Sequence, residues 1–268
     1  MTPTRARLGR SGIWGRAAGG VLLAAVVPWL LATAGASVAR AADFTVNPIQ
    51  IFLSAQAQSA ILTVQNTSTE PLRFQLNAFA WAQDPAGQML LTPTPEVIFF
   101  PRLLTLAPNE QRIVRVGTSV TPGPVERTFR IFVEELPPST AQSAPPGQVR
   151  VLARMGIPIF VEARAGRAEL RLAPPTLVAG RITFELRNAG TRHAIPQQIR
   201  VRGLGPAGEP IWEREQDGWY ILAGDRRVYE VTVPREDCAR TRTIAIEAKA
   251  GEQALAERLD VAAAACGP

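Results

Sequence analysis

The sequence predicts an all-β protein made of two immunoglobulin-like β-sandwich domains. Three observations carry that expectation. Short β-rich runs separated by Pro, Gly, Asn and Asp recur along nearly the whole chain, and long helical patterns are scarce. From residue 42 on, the 268-residue chain has 227 residues, long for one sandwich and comfortable for two domains of about 100–120. Between Arg127 and Ala163 two long β-patterned segments follow one another, and EARAG at Glu162–Gly166 then breaks the apolar pattern before a second series begins at Ala168.

Residues 1–41 are expected to be a cleaved export signal. Arg5, Arg7, Arg10 and Arg16 precede the apolar run Val21–Ala34, and Ala39-Arg40-Ala41 supplies small residues at a cleavage site. The run of about fourteen residues falls short of the ~20 a membrane-spanning helix needs. No second run of that length follows, so no stable membrane insertion of the mature chain is expected. Five arginines and no acidic residue lie in this segment (with Arg40 the fifth), so the formal charge of +6 falls to +1 without it. No broad basic field remains to attract nucleic acid.

The first domain, residues 42–163, is expected to contain seven strands, at Phe44–Leu53, Ala60–Asn66, Arg73–Trp81, Val97–Phe100, Gln111–Thr118, Thr128–Leu136 and Val149–Val161. In the last of these, Val149, Val151, Ala153, Met155 and Ile157 share one parity, while Arg150 and Arg154 occupy the other with Leu152 between them. A strand with two different faces requires this alternation. At a sheet edge it would offer unpaired backbone groups and a row of apolar knobs to another chain. The Pro137–Gln148 connection, rich in Pro, Ser, Ala and Gln, is expected to be a mobile loop.

The second domain, residues 164–268, is expected to hold strands at Ala168–Leu172, Arg181–Arg187, Gln197–Gly203, Trp219–Leu222, Arg227–Val233, Thr241–Ala248 and Ala254–Val261. Any similarity between the halves is architectural, because no sequence repeat is visible. Cys238 and Cys266 are the chain's two cysteines, and an even pair in an exported protein is most simply a disulfide. No nearby His or third Cys completes a metal site, and no cofactor is implied.

Catalysis has little to build on. His193, the single histidine, lies in the turn-like RNAGTRHAIPQQ and reads as a solvated loop residue. No nucleophile elbow, phosphate loop or HExxH motif is present, and Glu134–Glu135 before Pro137-Pro138 read as a solvated strand end. Trp81, Trp212 and Trp219 are too scattered to suggest a carbohydrate-binding surface. The chain is therefore expected not to be an enzyme.

Several ordered segments resemble the periplasmic pilus-assembly chaperones of the chaperone–usher pathway. They are FTVNPIQIFL, VQNTSTEPLRFQL with Asn66 and Pro71, LAPNEQRIVRVG, FRIFVEELPP and RMGIPIFVEA, with LRNAGTRHAIPQQIRV and LAGDRRVYEV in the second domain. The resemblance implies a boomerang of two immunoglobulin-like domains, located in the periplasm, that lends its last first-domain strand to pilus subunits lacking one of their own and passes them to an outer-membrane usher. The lent residues would be Val149, Val151, Ala153 and Met155, continuing to Ile157. A secreted structural or adhesive pilus component is the alternative. It would need an N-terminal donor extension and an incomplete sandwich.

The sequence departs from the best-known members, which anchor the subunit's terminal carboxylate with an Arg on the first strand and a Lys on the last. Those places align with Ile49 and Pro158, and neither binds an anion. This is similar to the archaic branch associated with spore coat U-like subunits, where a different basic residue is expected to serve. Arg130 is the first candidate because it interrupts the apolar strand of Phe129, Ile131, Phe132 and Val133. Arg154 and Arg102 follow.

Overall fold

The computed structural model describes residues 44–138 and 151–266. Residues 1–41, most of the Pro137–Gln148 loop, and Val149 with Arg150 lie outside them. The regular structure of the described residues is nearly all strand. Ten strands precede residue 162: β1 (Phe44–Asn47), β2 (Ile51–Leu53), β3 (Ser59–Asn66), β4 (Leu72–Gln83), β5 (Met89–Pro93), β6 (Val97–Phe100), β7 (Leu103–Leu106), β8 (Gln111–Thr118), β9 (Arg127–Leu136) and β10 (Arg154–Val161). Eight follow: β11 (Leu170–Leu172), β12 (Thr176–Val178), β13 (Arg181–Asn188), β14 (Gln198–Leu204), β15 (Pro210–Gln216), β16 (Arg226–Thr232), β17 (Thr243–Ala250) and β18 (Gln253–Asp260), with helix α1 (Arg235–Arg240) between β16 and β17.

The first sandwich faces a four-stranded sheet, β1-β3-β8-β6, with a six-stranded one, β2-β10-β9-β4-β5, to which β7 is added by pairing β4. Alternation drives the pairing: Leu62 and Val64 of β3, Val114 and Val116 of β8, Phe129, Ile131 and Val133 of β9, and Ile157, Ile159 and Val161 of β10 all turn into one core. Phe44–Leu53 is two strands rather than one. The chain leaves β3 after Asn47, passes Pro48, which has no N–H to continue a ladder, and joins the opposite sheet as β2, parallel to β10.

The second sandwich packs β11, β12 and β16 around β13 against the sheet β15-β14-β17-β18. Its core is formed by Ile182, Phe184, Leu186, Val201, Ile246 and Tyr229, among others. Trp219–Leu222, expected as a strand, forms only an isolated bridge, Ala194 to Ile221. Cys238, in α1, is disulfide-bonded to Cys266, the Cα atoms 5.7 Å apart. In the tail so held, Ala265 C=O accepts from Gly180 N–H (3.0 Å), closing the β12–β13 turn.

Both sandwiches use the same device at the end of one core strand. Asn66 is fully buried; its Nδ2 donates to the carbonyls of Glu70 (2.7 Å), Leu106 (3.1 Å) and Ala107 (3.1 Å), and its Oδ1 accepts from Ser68 N–H. Asn188, also fully buried, donates to Arg192 (2.7 Å) and Ile221 (3.0 Å) carbonyls and accepts from Gly190 N–H. A side-chain amide thus satisfies loop backbone groups that would otherwise be buried without partners.

Candidate functional site

β10 is where the sandwich leaves a strand half-paired. It pairs antiparallel with β9 along its length, but among the described residues its other side is covered by β2 only at Ile159, Phe160 and Val161. Alternate residues of an antiparallel strand bond to a given neighbour. Glu135 N–H donates to Ala153 C=O (2.9 Å), so in this register the odd-numbered residues face β9. Arg154 and Gly156 therefore turn their backbone N–H and C=O to the open edge, and Pro158 turns a position whose missing N–H costs the β9 ladder nothing.

Side chains along this edge grade from open to sealed. Val151 is 63% exposed, Ala153 and Met155 are half-buried against the core, and Ile157 is 1% exposed. Among the described residues the regular strand begins at Arg154. Ile157 is a correction to the expected donor row, since its side chain already fills the core of its own sandwich and is not free to enter another.

The opposite parity of the same sheet faces the second sandwich. Arg130 lies opposite Pro158 on β10 and Phe79 on β4. It is 6% exposed, its Nε has no hydrogen-bond partner, and no ion pair to it exists among the described residues. Its guanidinium carbon lies 4.3 Å from the ring centre of Trp81 and 5.9 Å from that of Trp219, which the second sandwich contributes. Burial lowers the guanidinium's pKa from its ordinary value, with Tyr220 opposing, and arginine stays charged through such shifts. An apolar wall holds a cation with no anion beside it.

Two amide side chains fasten the wall across the junction. Gln50 donates to Tyr220 OH. Gln83 donates to Tyr220 C=O (2.8 Å) and accepts from Leu222 N–H (3.1 Å). Tyr220 meets Trp81 and Trp219 edge-on, at 5.3 and 5.5 Å between ring centres. Trp81, Phe160, Tyr220 and Leu222 form a small core of their own. Between β1 and β2, Ile49 is 72% exposed, while its neighbour Gln50 meets the second sandwich.

His193 is not a solvated loop residue. Its side chain is only 8% exposed, stacked 3.8 Å from Phe160, and its Nδ1 lies 2.7 Å from Glu126 Oε2, which also accepts from the His193 backbone N–H (2.8 Å). A carboxylate only accepts, so Nδ1 carries the proton between them. The Asn188 device fixes the loop that delivers His193 and Arg192 to this place.

The other two arginines stand elsewhere. Arg154 pairs with Glu134 (2.6 Å) and lies 3.8 Å over Phe132, a ring that fits because Gly156 opposite it has no Cβ; one built there would come within 2.7 Å of the ring. Arg102 lies over Phe99 beside a depression of about 480 Å³ lined by Asn77, Phe79, Pro93 and Thr94. Neither joins Arg130. Trp81 and Trp219, scattered in sequence, do converge on it. A pair of indoles flanking an arginine leaves no local signal when its members belong to different domains.

Residues 43–165 match the family described as pili and flagellar-assembly chaperone, PapD N-terminal domain. A comparison with curated proteins gives no match. Among solved structures, the chain is similar to the CsuC–CsuE chaperone–tip adhesion subunit pre-assembly complex from archaic chaperone-usher Csu pili of Acinetobacter baumannii, at 18% identity and TM-score 0.57 over 80% of this chain and 97% of that one. It is also similar to the Salmonella enterica SafA pilin–SafB chaperone complex (14%, TM-score 0.53, 82% and 98%) and to the YadV chaperone (12%, TM-score 0.54, 81% and 99%). At these identities the structures speak for the fold.

Proposed function

Since residues 43–165 match the pili and flagellar-assembly chaperone family, we propose that the chain is a periplasmic chaperone that captures pilus subunits by β-strand addition and delivers them to an outer-membrane usher. The observation that carries this reading is the open edge of β10, where backbone at Arg154 and Gly156 that has no pairing strand among the described residues runs beside a graded apolar row and ends at Arg130, which has no ion pair among them. Backbone pairing supplies register, and the apolar row supplies free energy, about 1.5–3 kcal/mol for each Val- or Met-sized side chain newly buried. The lent side chains are Val149, Val151, Ala153 and Met155, with Ile157 anchoring the strand in its own domain.

In this reading the segment 1–41 exports the protein, residues 42–163 form the capturing domain, and residues 164–268 form its partner. Arg130 binds the subunit's terminal carboxylate or backbone carbonyls near it through a planar fork suited to oriented oxygen acceptors. Arg154, already neutralised by Glu134, is a surface ion pair. The CsuC and SafB structures hold a tip adhesion subunit and a pilin respectively, which agrees with a subunit as the partner here. No chemistry beyond binding is called for, which fits a protein that is not an enzyme.

Expression in the periplasm with affinity capture and mass spectrometry of what co-purifies tests the reading. A pilus subunit is expected in stoichiometric amount with the wild-type chain. Arg130→Ala is expected to retain the fold and recover at least tenfold less of that subunit. Recovery of no subunit from a host that makes pili through this chain would overturn the proposal.

A further inference from the structure

We propose that Trp219, carried by the second sandwich, is a positioning residue for Arg130, so that the oxygen-binding site is assembled only where the two sandwiches meet. This rests on the reading of Arg130 as the anchor. A free arginine side chain explores many rotamers, and holding its fork in one orientation before the ligand arrives removes that entropy cost from binding. A carboxylate could hold it, but would also neutralise it and fill the place of the ligand. Indole rings restrain it without doing either, because the indole has no acceptor.

The surroundings are arranged for restraint. Trp81 lies on one side at 4.3 Å and is itself fixed by Tyr220. Trp219 approaches from the second sandwich at 5.9 Å and stands edge-on to the same tyrosine. The approach depends on Gly218, since a Cβ there would overlap Pro196 C=O at 1.4 Å. Two buried donors, Arg130 Nε and Trp81 Nε1, have no partner among the described residues. Unpaired buried donors are costly, and an arriving oxygen ligand would relieve them. Trp219 is 41% exposed, so its ring is placed to restrain the arginine while leaving a way in.

The test measures the restraint and the binding separately on the full mature chain. Side-chain ¹⁵N relaxation at Arg130 Nε–Hε is compared in wild type, Trp219→Ala and Trp219→Phe, with thermal melting as the folding control. A synthetic hexapeptide of alternating threonine and valine with a free C-terminal carboxylate, and its C-terminal amide, serve as probes. The expected result is a rigid Arg130 in wild type and Trp219→Phe, and an order parameter below about 0.6 in Trp219→Ala. Affinity for the carboxylate peptide should fall at least fivefold in Trp219→Ala alone. An Arg130 as rigid in Trp219→Ala as in wild type overturns the inference and leaves the anchor standing. Equal binding of the carboxylate and amide peptides by wild type and by Arg130→Ala overturns the anchor, and the inference with it.

Discussion

The two sandwiches share an architecture and treat their sheet edges in opposite ways. In the first, β10 keeps one side open beside Val151, Ala153 and Met155. In the second, the edge strand β15 carries Glu213, Arg214 and Glu215 behind Pro210, β18 exposes Ala254, Ala256, Arg258 and Asp260 on one parity, and the β12–β13 corner is closed by the disulfide-pinned tail. Charge, proline and covering segments are the ordinary protections against edge-to-edge association. A protein that lent strands indiscriminately would aggregate, and on the proposed function these protections would leave β10 of the first sandwich as the edge that lends.

The largest expected effect separates the two edges directly. Val151→Asp forces a carboxylate into any groove that receives β10 together with the segment before it, and subunit capture should fall at least a hundredfold, about 3 kcal/mol, with melting unchanged. Val178→Asp, at an equally exposed valine of the second sandwich, should leave capture as it is. A pull-down with both variants decides it, and equal effects would abolish the contrast.

Stability is expected to divide the other way. Cys238→Ser/Cys266→Ser removes a link closing 28 residues and should cost the second sandwich about 3–4 kcal/mol, read by denaturant titration, while capture below the transition is retained. The asparagine device sharpens the comparison further. Asn66→Ala and Asn188→Ala each leave buried loop carbonyls without donors and should each cost about 2–3 kcal/mol. Only Asn188→Ala should also loosen His193 from Glu126, seen as a change in the His193 ring resonances. At the small end, Arg154→Ala breaks an exposed pair and should change stability by no more than about 1 kcal/mol and capture by less than threefold.

Much of the fold was legible because buried strands alternate. Ala60–Asn66, Gln111–Thr118 and Arg181–Arg187 are read from the sequence almost to the residue. Strands without a buried parity were not: Met89–Pro93 is exposed or half-exposed throughout, and Thr176–Val178 is three residues long. Phe44–Leu53 read as one strand because a period of two does not reveal a change of sheet. The apolar row and the odd arginine of β9 were visible as local breaks in pattern. What surrounds that arginine was not, because Trp219, Tyr220 and the Glu126–His193 contact join residues that only folding brings together.

β2 occupies the far end of the edge that β10 leaves open, beginning opposite Ile159. A strand sliding along that edge therefore meets a buffer, much as a drawer meets the back of its cabinet. Side chains on a strand change faces with every residue, so only displacements of two residues keep the same knobs in contact. A fixed stop together with a two-residue step turns a continuous surface into a ruler with few marks. On the proposed function, the end of a bound strand would be measured against Pro158 and Arg130, and a chain too long or too short for the gap would be out of place by a whole step.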